Sequence, residues 1–390
     1  MANNKGKHAA PPAEDQKHTD LLRNLRMLLA AVVIVVLVAA LTAMEDGIHF
    51  AGLRRWIMYG NSSATQDFHV YAADTNNRYG YLGTGLLIAG PNTIQLFQAN
   101  SETAYELPVS IKTPQMSVGT KLAAVCDVGG SAVYVLDQTG LLRTLKTEHE
   151  LVYYSARLNS SDYLAVTEQK NGYKAAVSVY NASGEQVFCF DSYDNYISDA
   201  LVTADCRSVA AVSLEPKGGV FASRLLVYDL ESASLSGSKT ISDGLVLDFT
   251  CSRDRLLCLC DKRFVITTLS GETLLDRAYG NLYLHDYALD GRDFAALLLG
   301  RYQAGNICTL TTFDLNGAEI AKLELTEEVL DISAAGDWLA VLYDDSLVLY
   351  TRDLQETARL DGTDYAGQIQ MEENGTVLMI SGSSAWRFVP

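Results

Sequence analysis

The sequence predicts an all-β protein: an eight-bladed β-propeller preceded by a single transmembrane helix. Three observations carry this. Short apolar runs are divided by Gly-, Asp- and Asn-rich turns; the pattern returns about every 42 residues; and one long uncharged stretch stands near the amino terminus.

The repeat is clearest at 331–353, "DISAAGDWLAVLYDDSLVLYTRD". Similar stretches begin at Lys121, Asp162, Arg207, Arg255 and Asp293, with weaker copies from Gly85 and Gly375. Each is a Leu/Val/Ala run, a variable loop, then an alternating run ending near Asp, Asn or Thr. That period matches a four-stranded blade, with "VLDIS" as inner strand, "WLAVLY" second, "LVLYT" third and "TARL" outermost. The runs are too short for helices, which argues against a helical solenoid. The second runs are apolar on both faces, as a sheet packed between two neighbours requires. Residues 64–390 then hold eight blades, or seven if a weak terminal copy is not one. The last copy has no residues after Pro390 for a fourth strand. "DFHVYA", Asp67–Ala72, is therefore expected to close the ring as that strand and remove its open edge. Prolines 91, 108, 114 and 216 are expected in loops or at strand ends.

Residues 27–44, "MLLAAVVIVVLVAALTAM", carry no charge and as a helix span roughly 27 Å, enough for a hydrocarbon core. A cleaved leader is the competing reading; the run is long for one, and Leu41 is too large for the position it would occupy before a cut after Ala43. Lys17, Arg23 and Arg26 on the amino side place residues 1–26 in the cytoplasm and the propeller outside. Residues 45–63 form a juxtamembrane segment, with Phe50, Leu53, Trp56 and Ile57 on one helical face.

Of the net charge of −17, the first 55 residues contribute about +2, so the propeller is strongly acidic. Such a surface repels phosphates, which excludes nucleic acid as a partner. The seven cysteines show no CxxC spacing and read as free thiols, with a Cys189–Cys206 pair left open.

Four predicted inner strands carry an aspartate at matching positions: Asp199, Asp248, Asp286 and Asp331. Four carboxylates ringing a channel could bind a cation. The reading preferred here is that each accepts hydrogen bonds from neighbouring backbone. His285 precedes Asp286 on one strand, and adjacent residues point to opposite faces, so no catalytic couple is expected. No hydrolase, zinc or phosphate-loop motif occurs, and nothing requires a cofactor or metal. The variable stretches "SLEPKGGVFAS" and "GRYQAGN" are where a partner is sought.

From Ala64 the repeats resemble WD40-like bacterial propellers, without the Gly-His and Trp-Asp pairs of true WD40 repeats. The layout of tail, single helix and acidic propeller is similar to an uncharacterised family of membrane-anchored propellers from Gram-positive anaerobes. The resemblance implies a fold and a location, with no catalytic motif to carry over. The function expected is a non-enzymatic binding or scaffolding module at the cell envelope, with a protein or envelope ligand. The rival is an envelope glycan hydrolase or lyase acting at the channel mouth.

Overall fold

A computed structural model describes residues 65–67, 71–98, 101–147, 151–217 and 220–390. The expected helix at 27–44 and the juxtamembrane segment at 45–63 lie outside the described residues. Among the described residues no helix is long and apolar enough to cross a membrane.

Residues 62–390 form one compact unit of eight antiparallel four-stranded sheets. The inner strands are Arg78–Leu82, Pro114–Val118, Tyr153–Leu158, Tyr196–Val202, Val246–Ser252, Tyr283–Gly291, Val329–Ala335 and Gln368–Met371, for blades 1 to 8 in order. The repeat read from 329–361 falls on the four strands of blade 7.

Each seam between adjacent blades holds one apolar cluster. Leu257, Phe264, Leu297 and Phe313 fill the seam between blades 5 and 6, for example, and Ala340, Leu349, Val377 and Met379 that between blades 7 and 8. The remaining six clusters fill the other six seams. This explains the all-apolar second strands. Ala123–Asp127 and Trp338–Tyr343 are buried nearly throughout because each face meets a different neighbour. Alanines 124, 165, 210, 295 and 340, all fully buried, let the sheets approach.

The ring is closed by an amino-terminal strand, as the incomplete last repeat implies. The segment differs slightly from the expected one. Thr65–Asp67 pairs with Ala385–Phe388 as the fourth strand of blade 8. Tyr71 has already left that ladder: its N–H donates to the Ser383 carbonyl and its hydroxyl to Ser381 and Ser384, so it seals the top of blade 8 instead.

A second difference concerns "SLEPKGGVFAS", which is no loop. Ser208–Lys217 and Val220–Asp229 pair without interruption through Lys217↔Val220. Pro216 therefore sits inside a strand. It is tolerated because the inner strand stops opposite Leu214, so the tip is a two-stranded ribbon and one edge needs no donor.

Every inner strand runs in the same sense. The upper face carries the second-to-third connections and the links between blades; the lower face carries the inner-to-second and third-to-outer turns.

Candidate functional site

The inner strands enclose a channel, and their channel-side edge leaves backbone N–H groups without a ladder partner. Side chains of the preceding blade supply acceptors. Gln115 accepts from Ala156 (3.1 Å), Ser117 from Leu158 (2.9 Å) and Ser333 from Met371 (2.9 Å). The sequence-selected carboxylates belong to this pattern. Asp286 accepts from Ile332 at 2.8 Å and Asp331 from Ile369 at 2.7 Å, each across a blade boundary. Asp199, Asp248 and Asp286 each also accept the next residue's N–H, at 2.8–2.9 Å. All four sit directly after a one-residue slip in pairing with the second strand, so the bulge is what aims them. Blade 3 has the same slip, with Ser155 in the aspartate's place, bonded to Thr167 at 2.8 Å.

Two of the four converge on something the sequence does not announce. Arg157, from blade 3, reaches Asp199 of blade 4 at 2.7 Å and Asp248 of blade 5 at 3.1 Å, with its guanidinium over the buried Phe249 ring. Burial opposes the Arg157 charge, but the two carboxylates outweigh it and hold the group protonated beyond its usual range. The Tyr287 hydroxyl donates to the other Asp248 oxygen at 3.3 Å. Asp290 opens on the same cavity of about 1250 Å³ and is exposed to solvent within it; its deep position in the channel and the Asp248 charge shift its carboxyl upward, and Arg157 opposes this. Asp286 and Asp331 interact with one another. Burial raises both, and the Asp286 charge helps push Asp331 up to about 7. Among the described residues no group of three metal-ligating side chains comes together.

His285 is the skipped residue at the blade 6 bulge. Its Nε2 lies 2.8 Å from the Tyr302 carbonyl, and Gly300 makes room: a Cβ there would stand 2.3 Å from that nitrogen. The ring thus anchors the loop 301–307, which holds most of the "GRYQAGN" stretch, to the channel mouth.

The upper face carries the second feature. Twelve of the sixteen exposed large apolar side chains among the described residues lie on it, so their distribution is strongly one-sided. They run from Tyr173, Tyr193 and Tyr196 on blades 3 and 4 through Phe221 at the hairpin tip to Tyr302 and Ile307 on blade 6. Between the blade 4 hairpin and the blade 6 loop, blade 5 has only the two-residue turn Asp261–Lys262, with exposed Leu245 and Leu247 below it.

Residues 59–385 match the model of a family of unknown function, DUF5711. The chain belongs to that family. No match is found among functionally curated proteins. Among solved structures this DUF5711 chain is similar to BamB from Moraxella catarrhalis, with a TM-score of 0.53 and 11% identity over 83% of this chain and all of the other. The carboxy-terminal WD40 domain of Sif2 gives 0.57 and 14%, over 85% and 100%. A chain of the mitotic checkpoint complex gives 0.51 and 11%, over 84% and 96%. At such identities the likeness is one of fold.

On the DUF5711 propeller, the residues that sequence reading passes over are Arg157, Asp290 and the aromatic arc. Arg157 stands two residues after Ser155, in the one slipped strand whose aspartate is replaced.

Proposed function

We propose that this DUF5711 protein is a non-enzymatic binding or scaffolding module of the cell envelope, anchored by residues 27–44 and displayed outside the cytoplasm. The observation that carries the binding reading is the concentration of exposed apolar side chains on the upper face. Water-facing tyrosine, phenylalanine and leucine gathered on one surface mark an interaction site. The channel supports the same reading, since Asp199 and Asp248 are both engaged by Arg157. A chain of similar fold was solved within a mitotic checkpoint complex, where it is part of an assembly. The anchor reading rests on the uncharged run and the basic residues before it.

Photo-crosslinking residues placed at Tyr193, Phe221 and Tyr302 should trap a defined species in cells, while residues placed at Thr139 and Ser183 on the lower face should not. Equal trapping from both faces would sink the reading. For location, Cys189 is an exposed thiol. A membrane-impermeant maleimide should label it on intact cells, and labelling only after lysis would refute display outside.

A second reading is favoured by one observation: Asp248, ion-paired to Arg157, shares the cavity with Asp290, whose carboxyl is raised. Two carboxylates from different blades facing one cavity are what a glycan hydrolase or lyase uses. Release of reducing ends from purified cell-wall glycan, abolished by Asp290→Asn, would favour the enzyme over the binding module.

A further inference from the structure

Resting on the binding reading, we propose that the upper face docks a basic, apolar polypeptide segment of a partner protein. Its apolar side chains would lie over blades 3–6 and its lysines or arginines over blades 7–8. Two independent features of one surface meet here.

The first is the arc just described, walled by the blade 4 hairpin and the blade 6 loop. It is aliphatic as well as aromatic: Leu245, Leu247, Leu282 and Ile307 are exposed beside the rings. Aliphatic side chains offer a sugar no stacking plane and no hydrogen bond, but they match apolar side chains of a protein. Of the cations near the arc, Lys170 is paired with Asp191 at 2.7 Å, Arg263 with Asp276 at 2.8 Å, and Lys174 lies over the Tyr196 ring at 5.2 Å, leaving Arg301 without an ion pair among the described residues.

The second is charge. Next to the arc, the upper face of blades 7 and 8 presents Glu327, Glu328, Asp344, Asp345, Asp361 and Asp364, all exposed. None of these six takes part in an ion pair among the described residues. Like charges gathered on one surface repel one another, and a cationic partner relieves that repulsion. A second copy of this chain would bring the same carboxylates against these, and an anionic lipid surface would be repelled.

The test uses the full chain in phosphatidylcholine nanodiscs, with empty discs subtracted. The probes are a fluorescent leucine–lysine peptide and its leucine–glutamate counterpart. The lysine peptide should bind, more weakly as salt rises, and the glutamate peptide should not. The triple variant Tyr193→Ser, Phe221→Ser, Tyr302→Ser should weaken binding by about tenfold or more. Replacing Glu327, Glu328, Asp344 and Asp345 by their amides should also weaken it and flatten the salt dependence. Leu141→Ser with Leu142→Ser, on the lower rim, should change nothing. Equal binding of both peptides, or unchanged binding by the upper-face variants, would overturn the proposal, as would self-association of the chain lost in the triple variant. If the cellular crosslinks at Tyr193 or Tyr302 carry a glycan or a lipid, the binding module stands and the polypeptide partner falls.

Discussion

Arg157 neutralises two carboxylates on different blades, and removing it strands both. Their side chains are only 20% and 31% exposed, so the cost is more than that of a surface pair. Arg157→Met should destabilise the propeller by roughly 2 kcal/mol in urea unfolding. Asp248→Asn should lose about 1 kcal/mol, because its amide oxygen still accepts the Phe249 N–H. Asp331 behaves differently. Its carboxyl is pushed up to about 7 in the folded chain, well above the ordinary value of about 3.9. The folded state thus holds this proton more tightly than the unfolded state. The resulting stability is full below about pH 4 and is lost as pH rises through 7. Asp331→Asn removes the titration: its melting temperature should vary less between pH 4 and 7, and at pH 8 it should exceed the parent by about 1 kcal/mol in stability. A steeper profile in the variant would contradict this. The aspartates were legible because they recur with the repeat. Arg157 was not, since a reach across 42 and 91 residues depends on how the ring curves.

Strands were legible from alternation and turn residues, and their order from the repeat. The tip of blade 4 was misread because "KGG" looks like the middle of a loop, whereas cross-strand pairing carries the hairpin up to it on both sides. That tip makes a clean element-scale test. Residues beyond Leu214 pair only within the hairpin. Replacing Glu215–Ala222 by a two-residue turn should leave the melting temperature nearly unchanged while removing Phe221 from the upper face. The closing strand should behave in the opposite way. Deleting residues 62–67 exposes the edge of Ala385–Phe388 and should cost roughly 2–3 kcal/mol, about one for each ladder bond lost. A melting temperature equal to the full chain's would mean that the blade 8 edge needs no cover.

At the scale of the molecule, the sequence carried the blade count because every seam needs its own apolar cluster, and each repeat writes both halves. It did not carry the one-sidedness of the surface. Whether Tyr283 or Tyr134 is exposed depends on the height of neighbouring connections, which periodicity does not encode. Whole-molecule electrostatics gives a further expectation. With Arg157 between Asp199 and Asp248, calcium has no vacant pair of carboxylates to bridge there, and millimolar calcium should leave the melting temperature unmoved. A shift of several degrees that disappears in Asp248→Asn would show that the ion displaces the guanidinium.

The closing strand also sets a timetable. Thr65 and Phe388, which pair directly, are more than 300 residues apart, so the first strand to leave the ribosome must wait for the last. Until the strands of blade 8 are made, Thr65–Asp67 has no partner and the seam between blades 8 and 1 is unfilled. Contacts so distant in sequence are slow to form, and the waiting edges are open to mispairing. A circular permutant that carries residues 62–67 after Pro390 makes the same ladder locally, and should refold faster and with less aggregation than the natural order.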